Sequence, residues 1–124
     1  MALSHSPHVV HACVVSGGIT TPYRVAGRGR PLVVVSFDAA RVDAALHDGT
    51  TEQRVIAPEV GLGTPAGNAA RLTPRTWLVA FLEALGLSEA RIVVDPALAL
   101  EARRVAQLYP ELIATVDVFT STAP

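Results

Sequence analysis

Residues 90–110 read Ala90-Arg-Ile-Val-Val-Asp95-Pro-Ala-Leu-Ala-Leu100-Glu-Ala-Arg-Arg-Val105-Ala-Gln-Leu-Tyr-Pro110. The run at 90–94 has the apolar, β-branched character of a buried strand. It leads straight into an apolar, arginine-decorated segment that spaces as a helix and stops at Tyr109-Pro110. Between them, Asp95 sits where a helix N-cap is needed and Pro96 at the first helical position, where its missing N–H costs nothing. This junction predicts a helix over 96–109. A buried strand passing directly into a helix is the repeating step of an α/β sheet.

The same step recurs on either side. Residues 32–37 are a continuous apolar run, as expected of a central parallel strand covered on both faces. A short helix over 39–46, ended by Gly49, and a fourth strand over 54–60 follow. Residues 61–73 form a Gly/Ala/Pro-rich loop. Thr73-Pro74 then supplies an N-cap with proline behind it, and Gly86 a C-cap. Trp77, Leu78, Phe81, Leu82 and Leu85 line one buried face of that helix. A sixth strand is expected over 114–120. Upstream, strands over 8–16 and 20–26 flank Gly17-Gly18, which predicts an antiparallel hairpin, with 27–31 as the next turn. Strands alternating with helices imply a mostly parallel sheet with right-handed crossovers. The whole chain, residues 1–124, reads as one α/β domain.

Composition excludes several classes of function. Half of the residues are hydrophobic, 17% are charged, and the net charge is −1. That balance fills a core and gives no electrostatic attraction to nucleic acid or anionic membranes. The basic residues are all arginine. A single cysteine, Cys13, excludes an internal disulfide and fits a reducing compartment; its apolar surroundings predict a buried thiol. With no basic leader and no apolar run long enough to span a bilayer, the chain reads as cytoplasmic. His5, His8 and His11 are spaced three apart, which puts neighbours on opposite faces of a strand and does not make a metal site. Gly27-Arg-Gly29 and Gly61-Leu-Gly63 lack the remaining glycines and the strand–helix setting of a nucleotide loop and read as turns. No metal and no cofactor is expected.

Five segments in order carry a resemblance to a known family. They are residues 19–36, with Tyr23, Gly27, Gly29 and Pro31 ahead of Leu-Val-Val-Val-Ser; Arg54-Val-Ile-Ala-Pro-Glu-Val followed by Gly61-Leu-Gly63; Trp77-Leu-Val-Ala-Phe-Leu-Glu-Ala-Leu-Gly-Leu87; residues 91–98; and Leu108-Tyr-Pro-Glu-Leu-Ile113. Together they resemble the first six strands of the α/β-hydrolase superfamily, over roughly residues 9–121. The resemblance implies a three-layer α/β architecture with a sheet of about six strands in the order 1-2-4-3-5-6, strand two antiparallel.

The departures bear on function. The family places Gly-x-Ser-x-Gly after the fifth strand, on a strained turn that presents a nucleophilic serine. Here the segment is Val94-Asp95-Pro96-Ala97-Leu98. Proline offers no nucleophile and holds φ near −65°, so both the nucleophile and its turn are replaced. The family's His-Gly after strand three is Ser36-Phe37-Asp38, and Glu59 stands for its frequent aspartate. Its acid and histidine lie beyond the sixth strand, and no histidine of this chain falls where they would be.

The resemblance therefore implies a truncated, non-catalytic hydrolase-like protein acting by self-assembly, as an accessory subunit or as a small-ligand binder. In the full fold a long C-terminal helix shares the face of the 39–46 helix; without it, an apolar patch and a free strand edge are expected. A homodimer, or docking on another protein chain, would cover them. The alternative is an enzyme with a rebuilt acid–base site at the strand C-terminal ends, where ligands collect in parallel sheets. Its candidate catalytic residues are Ser36, Asp38 and Asp95, completed across a dimer interface. Phe37, Glu59, Pro96 and Thr120 are the candidate ligand-binding residues. Each acid also has a structural reading: Asp95 as the N-cap of its helix, Asp38 as the cap at Ala39.

Overall fold

The computed structural model describes residues 9–16, 19–48, 52–59 and 74–119. Six strands form one sheet in the order β1-β2-β4-β3-β5-β6. They are β1 (Val9–Ser16), β2 (Ile19–Ala26), β3 (Arg30–Val35), β4 (Gln53–Pro58), β5 (Ala90–Val94) and β6 (Ile113–Val118). The helices are α1 (Ala39–His47), α2 (Pro74–Ala84) and α3 (Ala99–Leu108). β1 and β2 form the expected antiparallel hairpin, β2 meets β4 antiparallel, and β3 to β6 run parallel. The expected strand order and the three-layer α/β architecture are both present. The loop at 61–73, Thr73, Gly17-Gly18 and His5 and His8 lie outside the described residues.

Alternation along the central strands divides the core between two faces. Val33 and Val35 of β3, Ile56 of β4 and Ile92 and Val94 of β5 face α2 and α3. Leu32 and Val34, Val55 and Ala57, and Val93 face α1. The period of two sends neighbouring apolar residues to opposite layers, which is why these strands read as unbroken hydrophobic runs. The larger layer is anchored by α2. Phe81 and Leu82 are fully buried, Trp77 stacks on Phe81 at 5.4 Å between ring centroids, and Tyr23 meets Phe81 edge-on at 5.9 Å. The Trp77 indole N–H donates to Thr21 Oγ1 at 3.2 Å, giving the one polar atom of that ring a partner at the sheet.

Two elements differ from their sequence reading. The predicted helix over 96–109 opens as a single 3-10 turn, Pro96–Leu98, and becomes α-helical only at Ala99. Cys13 is exposed, not buried. It shares a sheet face with His11 and Val15, also exposed, whereas Val14 turns to the opposite face and packs on the core under α2.

Two glycines hold tight connections. Gly86 (φ +67) closes α2: its N–H donates to Glu83 O and that of Leu87 to Leu82 O, a Schellman pair that satisfies the last carbonyls. Gly29 (φ +103) sits where a Cβ would collide with the Glu52 carbonyl. Around Gly86 a Cβ would meet nothing. Gly86→Ala should therefore cost about 1 kcal/mol, the left-handed penalty alone, and Gly29→Ala about 3 kcal/mol, since strain and collision add. Urea denaturation of the two variants checks the ranking.

Candidate functional site

The connections leaving β3 and β5 diverge. α1 carries the chain from β3 to β4 on one face, and α3 carries it from β5 to β6 on the other. The C-terminal ends of β3 and β5 thus flank a topological switch point, where an open α/β sheet leaves a crevice for ligands. Ser36 and Phe37 follow β3, and Asp95 follows β5, so topology alone brings these candidates together across 59 residues of sequence.

A carboxylate lies between these strand ends. Ser36 Oγ donates to Asp95 Oδ1 at 2.8 Å, the Phe37 amide to Oδ2 at 2.7 Å, and Arg41 Nη1 to Oδ1 at 2.9 Å. Ser36 and Asp95 are buried, at 4% and 8% exposure. Burial alone pushes the Asp95 carboxyl up. The Phe37 amide, the Ser36 hydroxyl and the Arg41 guanidinium together outweigh it, and the pKa lies below the ordinary aspartate value. Ser36 is engaged in both directions, since its oxygen also accepts from the Asp38 amide at 3.0 Å. The Ser36–Asp95 hydrogen bond ties the segments that leave β3 and β5 together.

The side chains of the other candidates are engaged differently. Asp38 turns from the cluster and caps α1, accepting from the Ala40 amide at 2.9 Å and the Arg41 amide at 3.4 Å, as its structural reading expected. Asp95 does not cap the helix that follows it. It stands at the cap position of the 3-10 turn, but its side chain makes no cap hydrogen bond there. Three donors converge from the β3 side, one of them charged, and a charge-assisted bond exceeds what a helix amide offers. Phe37 is 38% exposed and contributes its amide. Pro96 is exposed on the 3-10 turn. Glu59 is exposed, and its amide donates to Pro22 O at 2.8 Å. Thr120 lies outside the described residues. No three His, Cys, Asp or Glu side chains converge as metal ligands among the described residues, and among them no helix is long and apolar enough to cross a membrane.

Arg41 was not legible as a site residue. It stands on α1, ion-pairs with Asp95, lies 3.9 Å from Asp38 and covers the Phe119 ring at 5.2 Å. Its only trace in the sequence is the spacing of three from Asp38.

Asp95→Ala should cost about 3 kcal/mol, because it leaves a buried hydroxyl and amide unpaired and a guanidinium without its partner. Asp38→Ala should cost about 1 kcal/mol, as a lost cap. The folded pKa of Asp95 is depressed, so its contribution is fully present above the unfolded value near 3.8 and lost as pH falls through the lower folded value. The stability gap between wild type and Asp95→Asn should be constant near neutrality and close below that pH in denaturant titrations.

No protein-family profile matches the sequence, and no curated protein does. Solved structures match it closely in shape. An epoxide hydrolase from Vigna radiata aligns with a TM-score of 0.68 at 19% identity, covering 94% of this chain and 43% of that one. A naproxen esterase from Bacillus subtilis gives 0.69 at 15% identity, covering 89% and 42%. A haloalkane dehalogenase from Agrobacterium tumefaciens gives 0.69 at 15%, covering 90% and 40%. The chain spans about two-fifths of the length of the structures it matches. Over that span, it has the fold of the α/β-hydrolases.

Proposed function

We propose that this chain is a non-catalytic α/β-hydrolase-like unit that works through assembly, as a homodimer or docked on another protein chain. The observation that carries this reading is the hydrogen-bonded Asp95 carboxylate at the strand ends. At the switch point, where a substrate would sit, an ionised carboxylate saturates the available donors, Ser36 Oγ, the Phe37 amide and Arg41. Pro96 occupies the position the family resemblance gives to the nucleophile. The matched structures are named for hydrolytic and dehalogenating activities, which belong to those longer chains.

The alternative, an acid–base enzyme rebuilt from Ser36, Asp38 and Asp95, has less support. Asp38 is committed to capping α1, and Asp95 is held ionised by its donors. The two readings separate in one variant. Asp95→Asn that stays folded but loses a native turnover would favour the enzyme.

Pro96→Ser should show no turnover of p-nitrophenyl esters above the wild-type background, because serine there gains neither a base nor the strained turn. Saturable hydrolysis by this variant would overturn the non-catalytic reading. Light scattering of the purified chain should give a mass above that of a monomer, or a monomer that aggregates until a partner is added. A stable, soluble monomer over a wide concentration range would overturn assembly.

A further inference from the structure

β1 ends the sheet at one edge, and no described strand pairs with its outer side. The register shows which of its backbone groups face outward. Cys13 stands opposite Pro22 of β2. Pro22 has no N–H, and its carbonyl turns away from β1 to accept from the Glu59 amide at 2.8 Å, just past β4. Cys13 and Pro22 are therefore a non-hydrogen-bonded pair, and the N–H and C=O of Cys13 point to the open edge. By the alternation of the ladder, so do those of Val9, His11 and Val15.

Edge strands usually carry a device that discourages pairing with another chain: a lysine, a proline, a bulge or a charge. β6, at the opposite edge, has two. Its ladder with β5 shifts register between Ala90 and Arg91, which leaves Ala114 as an extra residue, and Asp117 is exposed. β1 has none. It reads Val-Val-His-Ala-Cys-Val-Val-Ser, with no proline, carboxylate, lysine or arginine, and it pairs with β2 over its whole length without a shift. Val10 and Val15, on opposite faces of the strand, are 48% and 66% exposed.

The strand is complementary to a reversed copy of itself. An antiparallel pair forms its ladder only where outward-facing residues meet outward-facing residues. Full overlap under that condition puts a two-fold axis at Ala12. On one face Val9 then lies opposite Val15 of the second copy, and His11 opposite Cys13 of the second copy. On the other face Val10 lies opposite Val14 of the second copy, and Ala12 meets its own equivalent at the axis. Each exposed valine gains an apolar cross-strand neighbour. A two-fold pairing closes on itself, whereas pairing β1 with β6 would continue from copy to copy as a filament.

We infer that two copies of this chain associate through β1, antiparallel about a two-fold axis at Ala12, so that their sheets run on as one. About eight hydrogen bonds cross the seam, two for each outward-facing pair. This rests on the reading of the chain as a unit that works through assembly, and names the surface and the partner.

His11→Pro is the first test. The His11 N–H faces the open edge, so proline there removes no bond between β1 and β2 and is tolerated as on other edge strands. Sedimentation velocity should show a monomer–dimer equilibrium for the wild-type chain. The variant should dissociate at a concentration at least about tenfold higher, since each copy loses a seam hydrogen bond. Circular dichroism checks that it folds; if it does not, Val10→Lys takes its place, a lysine at an exposed edge position. The single cysteine, Cys13, is exposed and reports the register. Across an axis at Ala12 the two copies of Cys13 are diagonal neighbours, with Cα atoms about 7–8 Å apart. A nitroxide on Cys13 should therefore give a dipolar-broadened spectrum in frozen solution, which His11→Pro sharpens. A wild-type dimer that keeps its affinity in the edge variant, or shows no broadening, has its interface elsewhere and overturns the β1 seam while assembly stands. A chain soluble only with another protein bound overturns the second copy alone. A stable monomer overturns both the seam and assembly. Esterase turnover in Pro96→Ser overturns the non-catalytic reading whatever the mass.

Discussion

The Asp95 carboxylate ties together the ends of the two central strands, and the upper half of the molecule is arranged around it. Through Ser36 and Phe37 it holds the chain leaving β3. Through Arg41 it holds α1. The same guanidinium lies over the ring of Phe119, whose amide donates to Val94 O at 2.9 Å. A buried carboxylate is stable when donors compensate its lost hydration, and here three do.

The layer under α2 and α3 and the layer under α1 differ in completeness. The first encloses a continuous cluster from Leu78 through Phe81 and Ile92 to Val105. The second encloses a smaller one, around Val34, Val42, Leu46 and Val55, and opens on one side into a groove lined by Val93 and Phe119.

Most of the fold was legible in the sequence, because strands and helices announce themselves through local pattern. The apolar runs at 32–37 and 90–94, the proline at 74, Gly86 and the alternation of strand with helix depend on neighbours within a few residues. The candidate site was legible only as residues at strand ends. Ser36 and Asp95 do meet at the strand ends, whereas the N-cap reading of Asp95 did not hold. Asp95 reaches across to Ser36, Phe37 and Arg41, which no local spacing connects to it.

Cys13 marks the same boundary. Its apolar run predicts burial, but Cys13 lies with His11 and Val15 on a stretch of β1 that is exposed on that face. The sequence by itself determined the elements, their order and the absence of a nucleophile at Pro96, since these follow from side-chain chemistry and short-range backbone preference. Only the tertiary structure decided which donors meet the Asp95 carboxylate, which face of β1 is covered, and where the sheet stays open. Those depend on contacts between segments tens of residues apart, which packing creates and local pattern does not record.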